Sequence, residues 1–589
     1  MSYIHPYRDT EFVLAQLVEL DALCAAAGLD EVNLELASTI LAEAGKLGSE
    51  VLAPLNRVGD TLGAKVGPEG VEETPGFKDA YLQFSESGWL SLSVDEEFGG
   101  QNLPNVLSTA VNEIWHSANM AFALCPMLTQ GAMESIAHHA DDALKAIYLP
   151  KMATGEWTGT MNLTEPDAGS DLAAVKTKAT PTGDAYLIDG QKIFITWGDH
   201  GMTENIVHLV LARLPDAPPG VKGISLFIVP KRLVDAHGNL GARNAVDCLS
   251  IEHKLGIHAS PTCVMEFRDA VGYLVGEPNK GLAYMFTMMN HARQSVGLQG
   301  LAISERAYQD ALQYSKERFQ GTRRDGTRIP IVEYPDVRRM LMTMKSATEA
   351  MRALALVAAA ETDRARYAAD AERQAAHFAR LELYTPIVKG WLTEMAQELT
   401  SLGIQIFGGM GYVEETGAAQ HYRDARILPI YEGTTGIQAL DFVGRKTLAN
   451  RGEHLARLLD EMAQTVAELR AGDDLGAILA QALDEAVAAG RDARQWLLEQ
   501  AADDRDAAGS ASVNFLMLFG YLTGGWLMAR SALKAQSLLA SGEGDPQMLQ
   551  AKLGTARFYC EHLLPRTRAC LASVVAGSAS VLALTVDQL

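Results

Sequence analysis

The chain has 589 residues, a length that accommodates about four domains of ordinary size, and 48% of its residues are hydrophobic, so large buried cores can form. It carries 50 lysines and arginines against 73 aspartates and glutamates, and the net charge of −23 argues against a nucleic-acid partner bound by bulk electrostatics. Any polyanionic ligand therefore needs a local basic site.

Six cysteines are spread along the chain without a CxxC pair. This pattern fits reduced thiols in the cytoplasm, and it predicts neither a disulfide framework nor a metal site. The first residues, MSYIHPYRDTEFVL, have neither the basic start nor the long apolar run of a signal peptide. A cytoplasmic location is therefore expected.

The first half of the chain changes from helical to β patterning. Residues 1–34 are predicted to form an N-terminal arm and residues 35–160 a helical domain, because apolar residues recur there at spacings of three and four. Residues 161–281 are predicted to form a β-domain of short strands, in which AYLIDGQKIFITWG indicates two strands joined at Asp189–Gly190.

Helical patterning returns in the second half. Residues 282–445 are predicted to form a helical domain, interrupted by a charged loop over Gly321–Pro335, and residues 446–589 a further helical block. The apolar run Phe515–Ala529 is shorter than the roughly 20 residues of a membrane span and contains glycines. It is predicted to be a buried helix, with no stable membrane insertion.

The segment Ser401–Arg445 contains a lone carboxylate, Glu432, between Tyr431 and Gly433. The preceding apolar run ILPI indicates that Glu432 is partly buried, which would raise its pKa and make it a better base near neutral pH. Alternatively, Glu432 lies in the first turn of the next helix, near its positive end. The residues alone leave both interpretations open.

Two other patterns bear on ligand binding. The segment MNLTEPDAGSD, which begins at Met161, offers hydroxyls and backbone amides that suit the polar edge of a heteroaromatic ring, although an ordinary polar loop has the same composition. The glycines from Gly408 to Gly411 follow a helix, and no GxGxxG follows a strand, so the dinucleotide and P-loop fingerprints are absent.

The motif QIFGGMGY, followed by YRDARILPIYEGTTGIQ, resembles the acyl-CoA dehydrogenase family. The resemblance implies an α+β fold with an N-terminal helical domain, a β-barrel-like middle domain and a C-terminal helical bundle. The appended helical domain resembles the long bacterial members. The implied reaction is FAD-dependent α,β-dehydrogenation of an acyl-CoA to the trans-2-enoyl-CoA in fatty acyl-CoA β-oxidation, with electrons passed to an electron-transfer flavoprotein.

The resemblance also implies roles for individual residues. Glu432 is the implied catalytic base, because Ala292 stands where some members carry an alternative glutamate. Substrate contacts are implied for Ser170, Arg293, Tyr431 and Gly433, and no metal is expected. The implied FAD contacts are Leu163, Thr164, Gly169, Ser170, Phe194, Thr196, Arg318, Phe319, Gln405, Gly408, Gly409, Thr434 and Gly436.

Several alternatives stay open at this point. The flavin could pack against Phe194 or against the neighbouring Trp197. The substrate could be a thioether acyl-CoA instead of a fatty acyl-CoA, and the enzyme could be an oxidase or, in a different class, a DNA-binding flavoprotein of the same fold. In the family, the counterparts of Gln405, Gly408 and Gly409 serve the partner subunit, and the long members are dimers, so a homodimer is expected.

Overall fold

The computed structural model describes residues 3–500 and 504–589. The N-terminal part is helical, apart from a small hairpin of β1 (Lys65–Gly67) and β2 (Gly70–Glu72). Its helices are α1 (Tyr7–Val13), α2 (Leu20–Ala26), α3 (Leu34–Leu47), α4 (Ala53–Leu62), α5 (Phe77–Glu86), α6 (Asn105–Ala118), α7 (Met120–His139) and α8 (Asp142–Ala153).

The middle part is a closed β-barrel. Its strands are β3 (Trp157–Asn162), β4 (Lys178–Thr182), β5 (Ala185–Thr196), β6 (Asn205–Arg213), β7 (Ile224–Pro230), β10 (Val246–Ile251) and β11 (Thr262–Val275), and β8 (Arg232–Val234) pairs with β9 (Leu240–Arg243) beside them. Five strands pair in a ring in the order β11, β5, β4, β6, β7, and β7 pairs with β11 again to close it. The ring of five strands confirms the predicted barrel-like fold.

The predicted strand break at Asp189–Gly190 is wrong. Strand β5 runs through it unbroken, and the hairpin turn instead lies at Gly183, between β4 and β5. Gly190 is needed for a different reason: a Cβ there would lie 2.6 Å from Oγ1 of Thr177. A glycine within a strand can thus mark close packing as well as a turn.

A second group of helices follows the barrel. They are α9 (Gly281–Glu317), α10 (Pro335–Arg366), α11 (Ala371–Phe407), α12 (Ala418–Ala425) and α13 (Thr435–Gly444). The predicted charged loop contains a short hairpin, β12 (Phe319–Thr322) with β13 (Arg328–Pro330). Helices α9 and α11 approach closely, because a Cβ on Gly297 would lie 2.4 Å from Cγ1 of Val388.

Five further helices end the chain: α14 (Glu453–Arg470), α15 (Asp474–Gln500), α16 (Arg505–Ser541), α17 (Pro546–His562) and α18 (Arg566–Val575). By length and composition α16 could cross a membrane, but 83% of its apolar window is buried inside the protein. Gly520 and Gly524 let α16 pack directly against Trp391 of α11. The prediction that Phe515–Ala529 is a buried helix is confirmed.

A buried ionic network ties the N-terminal arm to the other parts. The guanidinium of Arg352 on α10 donates to Glu113 of α6 at 2.7 Å and to Glu305 of α9 at 2.9 Å, and it also contacts Asp9 of α1. Asp9 in turn meets Lys552 of α17. The network thus spans the arm, the bundle and the appended helices.

Candidate active site

Glu432 lies in the connection between α12 and α13, not in a helix. Helix α13 begins at Thr435, and the Thr434 hydroxyl caps it by accepting from the amide of Ile437 at 3.2 Å. Glu432 therefore lies two residues before the N-cap, with a left-handed φ of 54°. This placement excludes the interpretation that Glu432 occupies the first helical turn.

The surroundings of Glu432 come from three helices. The hydroxyl of the preceding residue, Tyr431, donates to the side chain of Gln299 on α9, and Gln299 donates to the Met127 sulfur on α7 at 3.1 Å. Arg293, also on α9, is 6% exposed, and its guanidinium lies 3.9 Å from Asp441 of α13. Glu432 thus lies on a segment with a left-handed backbone, between a partly buried, hydrogen-bonded tyrosine and the buried Arg293.

Burial sets the protonation of this site. It raises the pKa of Glu432 to about 7, against the opposing charges of Lys389 and Arg293. The Glu432 side chain keeps partial solvent exposure. In the described part of the chain, the backbone N–H of Glu432 donates to no acceptor, so it is free to polarise a carbonyl placed beside it.

The segment from Leu163 to Ser170 is held at the barrel by a buried ion pair. Lys192 of β5 is fully buried, and its ammonium donates to the carboxylate of Glu165 at 2.8 Å and to the Leu163 carbonyl at 3.0 Å. The amide of Ile193 donates to the Thr164 carbonyl at 2.9 Å. These bonds bring Leu163 and Thr164 next to the end of β5, while Gly169 and Ser170 are exposed.

The two aromatic residues at the end of β5 differ in environment. Trp197 is 1% exposed, donates to the Ala121 carbonyl at 3.0 Å and stacks on Phe77. Phe194 is 58% exposed, with a left-handed φ of 60°, and Thr196 pairs with Thr262. Trp197 is therefore a core residue, and Phe194 is the ring that is open to a ligand.

A second group of predicted residues lies far from Glu432 in the same chain. Arg318 follows the C-terminus of α9, and the 25 residues from Arg293 to Arg318 span about 37 Å of a straight helix. Tyr314 stacks on Phe407 with ring centres 4.2 Å apart, which brings the ends of α9 and α11 together. Arg318 and Phe319 thus lie at the end of the molecule that carries Gln405, Gly408 and Gly409.

Sequence reasoning missed Lys389 and Gln299. Both are fully buried, and both contact the segment around Glu432. A lysine or glutamine within a long apolar helical run was a signal, but the partners could not be predicted because they lie 39 residues from Lys389 and 132 residues from Gln299 in the sequence. Among the described residues, no cluster of three or more His, Cys, Asp or Glu could hold a metal ion.

The family models match the chain in four consecutive parts. They are the acyl-CoA dehydrogenase N-terminal domain over residues 64–156, the middle domain over 160–270, the C-terminal domain over 279–447, and an acetyl-CoA dehydrogenase C-terminal-like domain over 458–585. The chain belongs to the acyl-CoA dehydrogenase family, whose members are FAD-dependent oxidoreductases.

Individual relatives match over nearly the whole length. The chain is 49% identical over 568 residues to the 3-methylmercaptopropionyl-CoA dehydrogenase of Ruegeria pomeroyi, which covers 96% of both chains. It is 36% identical over 586 residues to the broad-specificity linear acyl-CoA dehydrogenase FadE5 of Mycobacterium tuberculosis, an alignment that covers 95% of both chains. The structure of a Bacillus anthracis acyl-CoA dehydrogenase complexed with FAD, 23% identical, superposes with a TM-score of 0.75 over 92% of this chain and 88% of that one.

Proposed function

We propose that this enzyme removes the α-proton of an acyl-CoA thioester with Glu432 as general base, yielding the trans-2-enoyl-CoA. The observation that carries this proposal is the placement of Glu432: a carboxylate with a pKa of about 7, fixed on a strained segment between helices. A general base works best when its pKa lies near the operating pH. FAD, when bound, supplies the acceptor for the hydride from the β-carbon.

The other residues at this site orient and polarise the substrate. The free backbone N–H of Glu432 is available to the thioester carbonyl, which would make the α-proton more acidic. Tyr431 and Gly433 flank the base, and Arg293 places a buried positive charge nearby. We assign substrate contacts to these three residues and to the exposed Ser170.

The residues assigned to FAD suit its chemistry. Phe194 offers an exposed ring to the isoalloxazine, and Thr196, Leu163 and Thr164 lie beside it. Around Gly169, Gly408 and Gly409, nothing lies within 4 Å of an added Cβ, so a ligand can approach their backbone closely. An arginine fork such as that of Arg318 suits a pyrophosphate. The remaining assigned contacts are Phe319, Gln405, Thr434 and Gly436.

The distance between the two groups of residues supports a homodimer. One chain places Arg318 about 37 Å along α9 from Arg293, so Arg318 lies far from the site around Glu432 of its own chain. We propose that Arg318, Phe319, Gln405, Gly408 and Gly409 complete the site of the partner subunit. The exposed Tyr412, 89% accessible, lies next to them and would be covered in such a dimer.

The acyl group has two candidates. A fatty acyl-CoA, processed in β-oxidation, is the first proposal. A thioether acyl-CoA is favoured by the 49% identity to the 3-methylmercaptopropionyl-CoA dehydrogenase.

We further propose that the enzyme is cytoplasmic and passes its electrons to an electron-transfer flavoprotein. The six free cysteines fit that compartment. Domain boundaries at residues 34, 160, 281 and 445 remain predictions.

Flavin content and an acyl-CoA panel test the proposal. Purified protein is expected to be yellow, with FAD near one per subunit, and to reduce an artificial acceptor with acyl-CoA. The matched pair is 3-methylmercaptopropionyl-CoA against pentanoyl-CoA, in which a methylene replaces the sulfur. A clear preference within this pair identifies the acyl class. Protein that is colourless and takes up no FAD on reconstitution contradicts the proposal.

A further inference from the structure

Lys389 is a buried cation with an unusual environment. It lies midway along α11 with no solvent exposure, where Gly297 of α9 packs against the adjacent Val388. Its ammonium donates to the Leu428 carbonyl at 2.8 Å and, within residues 3–500 and 504–589, contacts no carboxylate directly. A buried ammonium held by one carbonyl is costly, so a functional explanation is called for.

Lys389 belongs to a set of three α11 side chains that hold the segment carrying Glu432. Gln397 donates to the Ala425 carbonyl at 2.7 Å, and Lys389 donates to that of Leu428. Glu394 accepts from the Thr435 hydroxyl at 2.6 Å. The strained residues of the segment, Glu432 with φ of 54° and Gly433 with φ of 90°, lie between these attachment points.

The charges of Lys389 and Glu432 act on each other. Burial lowers the pKa of Lys389 to about 7, opposed by the negative charges of Glu432 and Glu394. Arg293 of α9 is the second cation that favours the ionised form of Glu432, and it faces the carboxylate of Asp441 on α13 and the like charge of Arg445 just after that helix. Tyr431, adjacent to Glu432, is held neutral by burial, which raises its pKa.

We propose that Lys389 is a positioning residue for the proton transfer, which fixes the segment bearing Glu432 and, while protonated, places a positive charge near its carboxylate. The hydrogen bond to the Leu428 carbonyl fixes the segment, and the charge of the ammonium favours the ionised form of Glu432. This inference rests on the proposed role of Glu432. A residue that served only packing would hold the segment without changing the protonation of the base.

The test compares Lys389→Met with Gln397→Met in the FAD-loaded enzyme. Each variant removes one bond from α11 to the segment, but only the first removes a charge. The rate of anaerobic flavin reduction by butyryl-CoA is measured against pH. For Lys389→Met we expect the midpoint of the profile of rate against pH to move up by about one pH unit. The rate near pH 7 should then fall about five- to tenfold and recover at higher pH. Gln397→Met should leave the midpoint in place. Equal midpoints in both variants and wild type overturn the proposal.

Two additions keep the outcome decisive. Lys389→Gln retains a donor for the Leu428 carbonyl but has no charge, so it should show the same shift of the midpoint. It replaces Lys389→Met in the test if that variant does not fold. Infrared difference spectra against Glu432→Gln follow the protonated carboxyl band of Glu432 directly, without turnover, and its titration should move with Lys389. If Glu432→Gln still reduces its flavin, the proposed base is wrong; if it does not and neither Lys389 variant moves the titration, only this inference fails.

Discussion

Glu432 has a left-handed backbone, a conformation that costs about 1–3 kcal/mol for a residue with a side chain and that clusters at functional sites. The apolar run before Glu432 indicated its burial. The strained backbone and the nearby charge of Lys389 were not predictable, because they depend on α11, which meets this segment only in the folded chain.

The rate of flavin reduction should rise with pH through about 7. Burial raises the pKa of Glu432 to that value, and only the ionised carboxylate can accept the α-proton. Stopped-flow reduction over a pH series measures this. The matched control is Glu415→Gln, an exposed carboxylate in the same region, which should leave the profile unchanged. A rate that falls or stays level between pH 6 and 8 contradicts the assignment.

Phe194 and Trp197 illustrate a limit of sequence reasoning at this scale. Both are aromatic residues within two positions of Thr196, and the pattern alone left their roles open. The structure separates them, because the indole N–H of Trp197 finds a buried acceptor in α7 and the Phe194 ring does not enter the core. The buried position of Trp197 depends on its hydrogen bond to the Ala121 carbonyl, which lies 76 positions away in the sequence.

Among the elements, helix patterning was readily recovered and strand pairing was not. The long helices α9, α10 and α11 follow apolar spacings, and so do the appended helices, in which α14 buries one face from Leu455 to Leu469. The Asp189–Gly190 prediction failed because a dipeptide typical of turns also satisfies close packing inside a strand. Barrel closure depends on long-range pairing, which no local pattern encodes.

The Arg352 network makes a prediction about how the elements hold together. Arg352→Met should destabilise the protein by about 3–5 kcal/mol, because it leaves the buried carboxylates of Glu113 and Glu305 without their cation. Denaturant or thermal unfolding measures the loss. Arg373→Met, which removes an exposed arginine near the start of α11, is the control and should change stability by about 0.5 kcal/mol or less. Equally small losses in the free energy of unfolding for both variants would show that the network contributes little to stability.

At the scale of the whole molecule, the appended helices cover the bundle. Helix α16 packs against α10, α11 and α13, and its apolar side chains are buried there. Apolar burial contributes about 25 cal/mol per Å², so this contact holds the block firmly in place. In the proposed homodimer, the appended helices would occupy this side of the bundle and keep a second dimer from packing there.

Light scattering should therefore give twice the chain mass of 63.5 kDa. A chain ending after Arg445 should expose the apolar surface that faces α16, which an increase in the fluorescence of a hydrophobic dye would report. The full-length protein without truncation is the control. A tetramer, or a truncated chain that stays a soluble, active dimer with no added dye binding, argues against a covering role for these helices.

Glu432→Gln in the FAD-loaded enzyme tests the assigned base by anaerobic flavin reduction with an excess of acyl-CoA. The variant should keep its FAD and its melting temperature, since glutamine retains the shape of the side chain. Its reduction should be slower by at least about 10²–10⁴-fold, because Ala292 leaves no second carboxylate to replace the base. Flavin reduction within a few-fold of wild type, with Glu415→Gln unchanged, would show that Glu432 is not the base.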